Sequence, residues 1–354
     1  MKGLLYYVCA VCFCVHFSPH AALPVVEVEG QPLSANVTRL MRALEFLGAP
    51  LAGEEIKKLN VAIRARDAGE IQQLLDPHVL VVVSLNPEVR VKARRGPAKT
   101  LLRQGGFTPF VVKVLNDSTV ARPLRLASPQ AGAVYSGSSL GTLERQAQTG
   151  LKANENVKGD TGRFLSVEMF GKPPMAPNLS GLEVEYAIAL IYSNEAGKRE
   201  ATLQFDVGAG TQDLGFRGEV PVLFNVLPAR AVKLNVRDHD GLPTTARLEF
   251  RDATGRVYPP QAKRLAPDFF FQPHIYRAHG QLVSLPPGKF TMETSRGPEY
   301  RVRRREIKVA AKDATEIKVR LERWVDPVQF GFFCGDHHIH GAGCSHYQSP
   351  TLGV

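Results

Sequence analysis

Long hydrophobic runs, cysteine and tryptophan are all scarce in these 354 residues. The longest apolar tract, Leu4 to Phe17, is well short of the roughly 20 residues that a spanning helix needs, which excludes a membrane-embedded body built of helices. Three of the five cysteines (Cys9, Cys12, Cys14) lie inside that tract, leaving Cys334 and Cys344 for the rest of the chain. Two cysteines cannot staple several domains, so folding rests on apolar cores. Neither charge sign dominates: 44 Lys and Arg stand against 34 Asp and Glu, a net charge of +10. No fixed-period repeat is present, which excludes a solenoid. With 44% hydrophobic residues the chain is also no disordered polymer, and its length suits two or three domains.

Lys2, the apolar tract and the exit Ser18-Pro-His-Ala-Ala22 read as a secretory signal over residues 1–22, which predicts a secreted, periplasmic or cell-surface protein with no stable membrane span after its removal. Loss of Lys2 lowers the charge to +9, compatible with anionic substrates or an anionic surface.

Residues 23–78 have a helical period. Val37, Leu40, Met41, Leu44 and Leu47 form one stripe, Gly48-Ala-Pro50 breaks it, Ile56, Leu59 and Ile63 resume it, and Asp76-Pro77 stops a third short helix. Short β-branched runs then begin at Val79-Leu-Val-Val-Val-Ser-Leu85 and recur at 110–115, 164–170, 184–192, 201–207 and 220–226, separated by Gly- and Pro-rich turns. Without intervening helices this predicts an antiparallel β-sandwich over residues 79–228. A second series follows over 229–326, with alternating strands at 231–237, 246–250, 282–285, 289–293, 301–309 and 315–321. Its Leu285-Pro-Pro-Gly-Lys-Phe-Thr-Met292 turn and strand resemble those of carboxypeptidase regulatory-like domains, implying a transthyretin-like accessory sandwich without catalytic residues.

Four of the ten histidines fall between His337 and His346. In Gly335-Asp-His-His-Ile-His340, preceded by Phe330-Gly-Phe-Phe333, alternation suggests a strand entering a site. Asp336, His338 and His340 then share one face, and two imidazoles about 7 Å apart can lean onto one cation or neighbouring cations. Asp336 adds a ligand or orients an imidazole N–H. His337 takes the opposite face; it and His346, in a loop, are candidates for orienting a ligand, and His346 also for facing substrate. Cys334 and Cys344 are open to a disulfide, to free buried thiols or, for Cys334, to thiolate ligation.

The motif Asp336-x-His338-x-His340 at a strand end resembles the first motif of the PHP (polymerase and histidinol phosphatase) metallohydrolase superfamily. The run Cys334 to Tyr347, behind tandem β domains and a signal peptide, looks like the CehA/McbA-type branch, named for a carbaryl hydrolase. The resemblance implies that residues 327–354 begin a distorted (βα) barrel with His338 and His340 as ligands of a divalent metal, zinc or manganese. It also implies hydrolysis of a small-molecule substrate, through a phosphoester, carbamate or ester bond, by metal-bound hydroxide. Only fourteen residues follow His340, where such a barrel needs roughly 200 more. The expectation is therefore a mainly β, amino-terminal fragment that lacks most of a catalytic domain and is inactive as it stands. The competing expectation is a non-catalytic, exported β-sandwich binding protein with an incidental histidine tail.

Other signals are weaker. Gly137-Ser-Ser-Leu-Gly141 matches a nucleophile elbow with Ser139, for which Asp213 and His274 are the nominal partners, but the antiparallel context is wrong for it. Arg301, Arg303, Arg304 and Arg305 form the densest basic run, read as a solvated strand face; with no aromatic platform and export expected, no nucleic-acid partner is predicted. Asp238 and Asp240 beside Gly241 hint at calcium in a loop too short for an EF-hand. Asn36, Asn116 and Asn178 begin glycosylation sequons.

Overall fold

Val79–Leu85 is apolar at nearly every position because it is buried on both faces, the condition that replaces alternation with a continuous run. In the computed structural model, which describes residues 23–131, 164–208, 217–264, 268–312 and 315–333, this strand, β1, lies inside a three-layer arrangement. The first sheet runs in the order β2 (Val91–Arg95), β1, β4 (Thr108–Asn116), β7 (Val184–Ser193), β6 (Leu165–Met169). One face packs on a second sheet ordered β3 (Leu101–Arg103), β9 (Glu219–Leu227), β8 (Gly197–Asp206), β5 (Arg125–Ala127). The other face is covered by helices α1 (Gly30–Phe46), α2 (Gly53–Ala65) and α3 (Ala68–Leu75).

The alternation of the central strands divides two cores between these faces. Phe110, Val112 and Val114 face the second sheet, while Val111 faces the helical stripe of Val37, Leu40 and Leu44. β9 has a single buried face and so alternates exposed and buried along its length. Asn36 on α1 fastens the helical layer: its side-chain amide donates to the Tyr186 carbonyl at 3.1 Å and accepts from the Tyr186 N–H at 2.8 Å. Asn36 and Asn116 are buried, whereas Asn178 alone of the three sequon residues is exposed.

The second sandwich pairs a sheet ordered β14 (Leu282–Leu285), β10 (Arg230–Arg237), β17 (Thr315–Arg320) with one ordered β12 (Val257–Tyr258), β11 (Thr245–Arg251), β15 (Gly288–Ser295), β16 (Arg303–Val309). β13 (Ile275–Ala278) also pairs with β11. Val232, Leu234, Leu248, Phe250 and Met292 lie in its core. It docks on the first unit through β12 and the segment that follows it. Val257 N–H donates to the Gly48 carbonyl at 2.9 Å, and the Gln261 amide donates to the Phe46 carbonyl at 2.9 Å. Gly48 has φ +68°, and a Cβ there would stand 2.8 Å from the Gln261 side chain, so this contact needs glycine.

The protein is mainly β, as its sequence predicts, but the sheets are not wholly antiparallel. β1 runs parallel to β4, β3 to β9, and β10 to β17. Alternation fixes which face of a strand is buried and says nothing of its neighbour's direction, so the error is one of pairing. β2, β3, β5, β12 and β13 are additional strands, too short or too charged to stand out in the sequence.

Candidate functional site

Asp336, His337, His338, His340, His346, Cys334 and Cys344 all lie outside the described residues, as do Ser139 and Asp213. Among the described residues, no group of three or more His, Cys, Asp or Glu is placed to hold a metal ion. His274 packs edge-on against Tyr276 at 5.3 Å between ring centroids. Asp238 is not a free cation ligand: it accepts from Tyr300 Oη at 3.1 Å and from the Arg296 guanidinium, and its Oδ1 lies 3.0 Å from His239 Nδ1. Burial pushes its carboxyl up, but the His239 and Tyr300 hydrogen bonds and the Arg296 charge outweigh that and hold it below the ordinary value.

Two surfaces stand out among the described residues. The first is apolar. After β17 the chain carries Trp324, Val328, Phe330, Phe332 and Phe333 on the exterior, with Phe330 and Phe332 each 70% exposed and Phe333 81%. Single exposed apolar residues are ordinary, but five within ten positions is an unusual density. It leads directly into Gly335-Asp-His-His-Ile-His340.

The second is a basic cleft of about 680 Å³ at the open edge of the second sandwich, where β16 and β17 each end their sheets. Its construction follows from strand parity. On β16, Val309 and Ile307 face the core; Arg305 and Arg303 follow on that same side. They stand opposite Met292 and Thr294 of β15, both buried. Arginines therefore occupy positions where a closed sandwich would carry apolar side chains. On the other sheet, Lys318 pairs in register with Asn235, and Arg320 with Arg237, on the face away from the core. The sequence reading of the 301–305 run as an exposed strand face is correct in exposure but misses this inward parity.

The cations of the cleft differ in their partners. Arg304 Nε meets Glu293 at 2.8 Å on the outer face of the sheet, and Arg303 pairs with Glu322. Arg305 donates to the Lys318 carbonyl, Arg237 to Asn235 Oδ1 at 3.2 Å and Arg320 to the His239 carbonyl at 3.4 Å. Among the described residues, Arg237, Arg305, Lys318 and Arg320 have no carboxylate within ion-pair distance. Met292 and Val319 supply an apolar floor. Arg237, Lys318 and Arg320 gave no sequence signal of their own; each is an ordinary polar position on an alternating strand, and only the β10–β17 pairing gathers them.

A third charged group is sealed inside the first unit. Lys113 lies on the helix-facing side of β4 with a side chain 0% exposed. Its Nζ donates to Asp76 Oδ1 at 2.9 Å, to Asp76 Oδ2 at 3.0 Å and to the Pro24 carbonyl at 3.1 Å, while Tyr186 Oη donates to Asp76 Oδ1 at 3.1 Å. All three ammonium donors are used, so this group ties the segment at Pro24 and the end of α3 to the sheet.

No family model matches the chain, and no curated protein matches it in sequence. Several solved structures are distantly similar, among them the following three. The major pilin subunit BcpA of Bacillus cereus is 9% identical over 63% of this chain and 67% of its own, with a TM-score of 0.23. The Bacillus anthracis TIE protein is 10% identical over 83% and 55%, with a TM-score of 0.18. The full ectodomain of mouse nectin-like molecule 4 is 8% identical over 66% and 74%, with a TM-score of 0.16. Scores this low carry no inference about role. What the structure itself defines is a mainly β protein of several sheets, with no described helix long and apolar enough to cross a membrane.

Proposed function

We propose that this chain supplies the amino-terminal, β-rich part of an exported, metal-dependent hydrolase acting on phosphoester, carbamate or ester bonds. The observation that carries the reading is the spacing Asp336-x-His338-x-His340. Two imidazoles and a carboxylate form a donor set suited to zinc or manganese. His338 and His340 would hold the ion through ring nitrogens, with Asp336 as a further ligand or as the acceptor that orients one ring. A bound divalent cation supplies Lewis acidity and water activation to a hydrolytic site. The exposed Phe330, Phe332 and Phe333 lend support, because apolar surface beside the motif suits the packing of a further folded body. Export rests on the signal-like residues 1–22.

Calorimetric titration of the protein with zinc and with manganese tests the assignment. Saturable binding that disappears in His338→Ala/His340→Ala, with the dichroism spectrum retained, is the expected result. Equal uptake by parent and variant, or no uptake by either, would sink it and favour the second reading, an exported β-sandwich binding protein. One observation favours that alternative, the basic cleft.

A further inference from the structure

We propose that the basic cleft of the second sandwich binds a multiply charged oxyanion ligand, a short chain bearing sulfate or phosphate groups. The inference does not depend on the hydrolase reading. Gathering Arg237, Arg305, Lys318 and Arg320 without carboxylates costs mutual repulsion, which an external anion relieves. Arginine predominates, and its planar fork matches tetrahedral oxyanions better than an ammonium does. Alternate residues along a strand stand about 7 Å apart, so Lys318 and Arg320 form a row along edge strand β17, with Arg305 across the opening on β16 and Arg237 beside Arg320 on β10, suited to several charged groups in succession. The volume of about 680 Å³ lies in the range of small-ligand clefts. Among the described residues no aromatic side chain lines the cleft, so it shows no stacking platform of the kind that single-stranded nucleic acid uses. Charged edges also deter strand pairing between molecules. That need is met by charges pointing anywhere, and does not explain why β10 and β17 add theirs to the same cleft.

Titration with inorganic tripolyphosphate and with a short, fully sulfated oligosaccharide tests the proposal. Binding is expected to weaken roughly tenfold or more from about 0.05 M to about 0.2 M salt. Lys318→Ser/Arg320→Ser should lose about tenfold in affinity, as expected for removing charge-assisted contacts. The charge-matched Lys57→Ser/Lys58→Ser on α2 should bind as the parent does. Preference for tripolyphosphate identifies free polyphosphate as the source of the chemistry, and preference for the oligosaccharide identifies a sulfated glycan; either supports the site. If the double variant aggregates, the single change Arg237→Gln is measured instead, with the same direction of effect expected. The proposal falls if neither probe binds, if the cleft and α2 variants weaken equally, or if single-stranded DNA binds more tightly than both probes.

Discussion

Lys113 and Lys318 are both lysines on β-strands, and they have opposite fates. Lys113 points into the interior of the first unit, where Asp76 and the Pro24 carbonyl take up all of its donors. Lys318 points outward in the second unit beside Arg320, with no carboxylate partner among the described residues. The first cation is neutralised from within and belongs to the folding of the chain. The second belongs to a group whose charge is balanced only from outside. A buried charge survives only when paired, whereas an exposed cluster can be left unpaired at little cost to stability. The comparison thus separates a structural cation from one available for binding.

The largest effect should come from breaking the first of these. Lys113→Met leaves the Asp76 carboxylate buried without its counter-ion, and such a lesion costs about 3–5 kcal/mol. Lys113→Met/Asp76→Asn removes both charges and should recover much of that loss, because a neutral buried pair no longer carries an uncompensated ion. Denaturant midpoints with an unchanged slope give the measurement. A loss below about 1 kcal/mol for the single variant would mean that Asp76 reaches water, contrary to its burial.

Little of this contrast can be read from the sequence. The apolar run Val79–Leu85 announces a strand, and the stripe from Val37 to Leu47 announces a helix. That the stripe covers one face of that strand's sheet depends on tertiary packing, which periodicity does not encode. Lys113 interrupts an apolar run, Phe110 to Leu115, and its partner Asp76 reads locally as a helix stop. The cleft was half visible. The arginines of 301–305 stand out, and their parity with Ile307 and Val309 is present in the sequence, but their convergence with Lys318, Arg320 and Arg237 requires the parallel β10–β17 pairing. The candidate metal set, Asp336, His338 and His340, lies outside the described residues, so its reading rests on spacing and resemblance alone.

Acid should pull the two units apart. In the first, burial raises the carboxyls of Asp76 and Glu185 above their ordinary values, against the opposing pull of Lys113 and of the Ser180 hydrogen bonds. In the second, burial also pushes upward, but hydrogen bonds and arginine charges hold Asp238, Asp252 and Glu293 below theirs. A raised carboxyl makes the folded state the tighter proton binder, so its contribution is full below the unfolded value and fades as pH rises through the folded one. A lowered carboxyl contributes fully above the unfolded value, and that contribution fades as pH falls through the folded one. Below about pH 4, the ordinary carboxylate range, the second unit therefore loses stability while the raised carboxyls of the first take up protons more readily than they do in the unfolded chain. Trp324, the single tryptophan, whose indole donates to the Pro298 carbonyl at 2.8 Å, reports on the second unit. Far-ultraviolet dichroism of α1, α2 and α3 reports on the first. The Trp324 signal should change at the higher pH; coincident transitions would show that docking makes the two units one cooperative body.

The smallest effect sharpens the comparison from the other side. Lys318→Ser/Arg320→Ser, which weakens anion binding if the cleft has the role assigned to it, should leave the denaturant midpoint nearly unchanged, within about 0.5 kcal/mol, since neither residue is buried or, among the described residues, paired with a carboxylate. A slight gain is the expected sign, because removing two of several neighbouring like charges relieves repulsion. Lowering the salt should enlarge that gain, as the repulsion it relieves is then less screened. A clear loss of stability would instead place Lys318 and Arg320 with Lys113, as cations that hold the fold together, and would take from the cleft its distinction from the sealed interior.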